Sequence, residues 1–142
     1  MNMNNAVIFL GALFILGCGA SEVRPVELFP EDECANCRMS VSDPKYASQI
    51  ITEGGEVLKY DDLSCLEKYR KDHAEAKIAA IFVKDFESTQ WLRYENSIIV
   101  QTGIETPMGS GKVAVSSNDR ATAVRMKFPA EEKKCDSGCC GS

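Results

Sequence analysis

Gly54-Gly55 separates two strand-like segments, "YASQIIT" and "EVLKY", and this arrangement constrains the fold more than any other stretch of the chain. A glycine pair accepts the positive φ angles of a tight turn, so the flanking segments are expected to pair as an antiparallel β-hairpin. "DDLSCLEKYRKDHAEA" comes next, with aspartates able to cap a helix and with Leu63, Leu66 and Tyr69 at helical spacing. Cys65 falls on that helix, beside its apolar stripe. "IAAIFVKDF", "SIIVQTG" and "GKVAVSS" read as three more strands, each bounded by glycine, proline or polar turn residues. "NDRATAVRMKF" reads as a closing amphipathic helix, capped by Asn118 or Asp119, with Ala121, Val124 and Phe128 facing inward. Trp91 is expected to anchor against the sheet. The expected fold class is α+β: a small, mostly antiparallel sheet carrying two helices.

The two ends of the chain differ from this pattern. "AVIFLGALFILG", from Ala6 to Gly17, is an apolar run too short for a stop-transfer helix and reads as the core of a signal peptide. Ile15-Leu16-Gly17-Cys18 resembles a bacterial lipobox, so residues 1–17 are expected to be removed and Cys18 lipidated. The preceding "MNMNN" has no lysine or arginine, and the alternative is a short uncleaved anchor; the remainder is exported in either case. Gly19 after the cysteine, where Asp would mark inner-membrane retention, resembles the outer-membrane sorting pattern. Residues 18–33, polar and proline-containing, suit a tether, and residues 34–129 suffice for one compact domain. Residues 130–142 read as a flexible, cysteine-rich tail. The net charge of −5, with no cationic block, leaves nucleic-acid binding without an electrostatic footprint.

Cysteines in an exported protein pair as disulfides by default, but here their grouping suggests other chemistry. "ECANCRMS" places Cys34, Cys37 and Met39 within six positions. A C-x-x-C pair serves several purposes. Haem attachment requires a histidine where Arg38 stands. A redox dithiol wants the amino end of a helix, which Pro44 and the neighbouring serines disfavour, although Thr106-Pro107 could mimic the proline loop of such folds. Zinc needs further ligands, and Cys65, His73 and the tail do not stand at knuckle spacing. A plain Cys34–Cys37 disulfide is a fourth reading. Met39 and Met108 shift the balance, because thioethers combined with thiolates are soft donors that favour Cu(I). A thioether is neither protonated nor consumed in a disulfide, and it binds weakly enough to release a metal. Met108 lies between Pro107 and Gly109 in "ETPMGSG", a loop composition that exposes a side chain. The "GSGK" within it lacks the first glycine and the Ser or Thr of a phosphate-binding loop. His73 reads as solvated, Asp61 and Asp62 as helix caps and Asp85 as a turn residue, with no nucleophile to make them catalytic. Cys135, Cys139 and Cys140 are candidates for an auxiliary soft-metal site, for oxidation or for bridging between molecules.

Taken in order, these pieces resemble the NosL family, the accessory lipoproteins of nitrous oxide reductase maturation. The resemblance rests on the lipobox at Cys18, C-x-x-C-x-M at Cys34, Cys37 and Met39, "KYDDLSC", "FVKDFESTQW", and "TPMGSG" followed by "KVAVSS" and a final helix. It implies ββαβ-type units related to the mercury-lyase core. It also implies a periplasmic, lipid-anchored copper chaperone that is not an enzyme, with Cys37 and Met108 as the foremost Cu(I) ligands and Met39 and Cys34 next. The implied partners are the membrane-bound, ABC-type assembly machinery of the reductase, its periplasmic component, or the reductase itself. Arg38 stands where that family often has glycine. The alternative reading from the residues alone is a membrane-anchored thiol–disulfide oxidoreductase using Cys34 and Cys37.

Overall fold

A computed structural model of the protein describes residues 22–130. The signal peptide, Cys18, Gly19 and the tail cysteines Cys135, Cys139 and Cys140 lie outside these residues. None of the described helices is long and apolar enough to cross a membrane.

The expected hairpin forms from β1 (Ser48–Thr52) and β2 (Val57–Tyr60), turned at Gly55 with φ 83°. Helix α1 (Leu63–Asp72) follows at once, capped by the Asp62 carboxylate, which accepts the Ser64 N–H. Strand β3 (Ile78–Lys84) then pairs antiparallel with β1, and β4 (Trp91–Arg93) pairs antiparallel with β3. The order β2-β1-β3-β4 makes β1 an interior strand, with four of its five residues buried. Strands β5 (Ile98–Gln101) and β6 (Lys112–Val115) form a separate antiparallel pair, and α2 (Asn118–Lys127) packs on it through Ala121 and Val124. The fold is α+β, as expected from the sequence, with two sheets in place of one. They are joined where Phe86 N–H bonds to the Ala114 carbonyl and Asp85 bridges the same residue. The cap of α2 is Ser117, one residue before the expected Asn118, because its hydroxyl is placed to accept the Arg120 N–H.

Strand alternation divides the core. Ile50, Tyr60, Ile81 and Val83 face α1 and meet Leu63, Cys65 and Leu66. On the other face, Ile51, Ala80 and Phe82 meet Val23, Val57 and Trp91. Trp91 is half-buried on an edge strand and lies under the Lys84 ammonium, 4.2 Å from the ring centre. Burial lowers the Lys84 pKa.

Part of the segment that reads as a tether is docked on this second face. Gln49, fully buried, accepts the Val26 N–H at 3.1 Å and donates to the Val26 carbonyl at 3.0 Å. Arg93 donates to the Val23 carbonyl, and Lys59 to the Glu27 carbonyl. Gln49→Ala is expected to cost about 2 kcal/mol, because the strap loses both bonds and the buried amide its volume. Limited proteolysis should then cut near Val26, while wild type resists.

Candidate metal centre

Residues 33–40 form a narrow loop whose ends are held together. Glu33 bridges Ser40, and the Cys34 N–H donates to the Met39 carbonyl at 2.7 Å. The Ala35 N–H bonds to the Lys59 carbonyl and fixes the loop against β2. Arg38 closes the turn with φ 66°, in the left-handed region that favours glycine, and its guanidinium reaches Glu33 only at the surface. Arg38→Gly is expected to raise stability by up to about 1 kcal/mol, since the αL strain of a side chain exceeds the value of an exposed ion pair. Thermal melting of the metal-free protein measures this.

The loop presents its two cysteines inward. Cys34 is fully buried, Cys37 half-buried, and Cys65 joins them from the first turn of α1. The three sulfurs and an Asp61 carboxylate oxygen all lie within 4.8 Å of one another. The Cys37 thiol donates to Asp61 at 3.4 Å, the Asn36 side-chain amide donates to the Cys65 sulfur at 3.4 Å, and the Cys37 N–H points at the Cys34 sulfur at 3.5 Å. All three thiols are free, and no disulfide occurs among the described residues. Burial pushes the Cys37 thiol up; the Met39 N–H opposes this, while Cys34 and Asp61 add to it. Burial also pushes the Cys65 thiol up.

Asp61 and Asp62 divide the work between two loops. Asp62, fully buried, caps α1 with one oxygen, and its other oxygen accepts the Met108 N–H at 3.0 Å. Burial alone would raise its pKa, but the Thr106 and Ser110 hydroxyls and the Ser64 and Met108 N–H groups hold it below the ordinary carboxylate range. The Met108 loop is further held by the Gly109 N–H on the Thr106 carbonyl and by Gly111 at φ 65°. A Cβ on Gly111 would lie 2.3 Å from the Thr102 carbonyl oxygen, so only glycine lets the loop close on β5. Met39 and Met108 are left 48% and 44% exposed. Both soft-donor loops are thus fastened to consecutive aspartates at the head of α1.

Cys34 and Cys37, paired by spacing, are together in space. The sequence reading made Asp61 a cap and gave Cys65 no role, yet both belong to the cluster. "KYDDLSC" carried a signal for them, since helical periodicity puts Cys65 within one turn of the paired aspartates. His73 stacks on Tyr69 at 4.2 Å, outside the cluster, and Asp85 accepts the turn N–H groups of Glu87 and Ser88 as expected.

Such a protein is a small α+β domain with a cluster of three buried or half-buried thiols and two exposed methionines on the loops fastened at the head of α1. The NosL family model matches residues 25–128, and the chain belongs to the NosL family. Its fold is similar to the crystal structure of the copper chaperone NosL from Shewanella denitrificans, with a TM-score of 0.65, 14% identity, and coverage of 81% of this chain and 95% of that one. No curated protein matches the sequence.

Proposed function

We propose that the protein is a lipid-anchored, periplasmic Cu(I) carrier that supplies copper to the assembly of nitrous oxide reductase. Its recipients are the membrane-bound ABC-type assembly machinery with its periplasmic component, or the reductase itself. Cys37, Met108, Met39 and Cys34 hold the metal. The observation that carries this reading is the fastening of the two loops to adjacent carboxylates, Cys37 to Asp61 and Met108 to Asp62. It brings a thiol and thioethers, the donors that suit Cu(I), to one end of the domain. Membership of the NosL family and the fold shared with a copper chaperone support it.

The cargo is handed on by ligand exchange, with a sulfur or imidazole of the recipient replacing one donor at a time. Exposed thioethers suit that step because they are open to a partner and bind weakly. A lipid at Cys18 would keep carrier and membrane-bound recipient at high effective concentration. No substrate is turned over.

The oxidoreductase alternative fits the geometry less well. Neither Cys34 nor Cys37 sits at a helix N-terminus that would stabilise a thiolate, and Cys34 is fully buried, away from any disulfide substrate.

Anaerobic titration with Cu(I) against a competing chelator tests the carrier. Wild type should retain one Cu(I). Unchanged affinity in both Cys37→Ala and Met108→Ala would overturn the site, and disulfide reductase turnover lost in Cys34→Ala would favour the alternative.

A further inference from the structure

The four assigned donors leave Cys65 and Asp61 unused, although both are buried against the same sulfurs. Buried cysteines are commonly inert, apolar packing. Here the surroundings are polar. Asp61 is 2% exposed, and none of the ion pairs among the described residues includes it. Its hydrogen-bond partner is the Cys37 thiol, which places a buried carboxyl beside the same sulfurs, where it would favour a bound cation. The Asn36 side-chain amide points at the Cys65 sulfur and the Cys37 N–H at the Cys34 sulfur, so both buried sulfurs already accept a hydrogen bond. The Tyr60 hydroxyl, in the same buried cluster as Cys34 and Cys65, has no hydrogen-bond partner.

We propose that the domain has two copper seats sharing Cys37: an outer one with Met39 and Met108, and an inner three-thiolate seat completed by Cys34 and Cys65. This rests on the Cu(I) reading above. The outer seat takes copper from solution or a donor and returns it to a recipient. The inner seat stores it away from solvent.

Movement inward is ligand exchange without electron transfer. The bonds from copper to the Met39 and Met108 sulfurs break as bonds to the Cys34 and Cys65 sulfurs form, and copper remains Cu(I). The two thiol protons leave for solvent. Outward movement reverses each change, so that a proton must return for every thiolate released.

The experiment uses the exported protein under anaerobic conditions, with Cu(I) as the probe and a chromophoric chelator as competitor. Cys65→Ser and Cys65→Ala are expected to lower affinity at least tenfold, and copper-edge X-ray absorption should show altered sulfur coordination. Met108→Ala is expected to shift equilibrium affinity only a few fold while slowing delivery to the chelator about tenfold or more. Calorimetry of the wild type in buffers of different ionisation heat gives a readout free of any folding defect: loading should release about three protons per Cu(I). Release of one or two protons, or Cys65 variants with wild-type affinity, would overturn the inner seat. Absence of Cu(I) binding by the wild type would instead overturn the carrier function itself.

Discussion

Cys37→Ala should lower Cu(I) affinity by at least about a hundredfold, beyond the loss typical of a residue that only supports a ligand. Cys37 meets Asp61 within the thiol cluster and stands two residues from Met39, and it is the donor shared by both proposed copper seats. A half-buried side chain on a turn carries little of the core, and the variant should melt within about 1 kcal/mol of wild type. Chelator competition measures the first quantity and thermal unfolding the second. Wild-type affinity in Cys37→Ala would remove the one donor common to every copper position proposed here. Cys34→Ala differs in kind: its sulfur is fully buried in the α1-facing core, and its loss leaves a cavity as well as a missing donor.

Asp62→Ala should destabilise the domain by about 3 kcal/mol, roughly 1 from the lost helix cap and the rest from a Met108 N–H without its acceptor. Asp62→Asn should be intermediate, since an amide supplies one acceptor oxygen for two N–H donors. The pH dependence has a definite sign. The carboxyl is depressed below its unfolded value of about 3.9, so its contribution is complete above that pH and lost as pH falls through the folded pKa. The stability gap between wild type and Asp62→Asn should therefore hold from neutral pH down to about 4 and shrink below it. Denaturant unfolding at several pH values tests this. A gap unchanged at pH 3 would mean that Asp62 is not held as a carboxylate. Release of the Met108 loop should also make copper delivery slower, because the Met108 N–H is held by the Asp62 carboxylate.

The local elements were readable because each carries its own periodicity or punctuation. Gly54-Gly55 placed the hairpin, Asp62 the start of α1, and the alternation in "KVAV" strand β6. The strap was harder to see, because its attachment depends on a single polar side chain of β1. Gln49 looks like any surface glutamine of an alternating strand, yet it is fully buried and satisfied only by the backbone of Val26. The division into two sheets escaped for a related reason. Strand patterns state which face is apolar, not which neighbour each strand will bond.

The candidate site shows the same boundary. By itself the sequence determined the chemistry on offer: two thiols and a thioether within one short loop, a second thioether held between proline and glycines, and a backbone of α+β elements to carry them. Those are properties of residue type and close spacing, set by neighbours along the chain. Tertiary structure alone decided that Cys65 and Asp61 meet Cys34 and Cys37, and that the Met108 loop is fastened to the head of α1 through Asp62. These contacts depend on the register of β2 against β1, on α1 packing over Ile50 and Tyr60, and on β6 docking at Phe86. Such long-range placement is settled by the packing of the whole core, and no local stretch of sequence contains it.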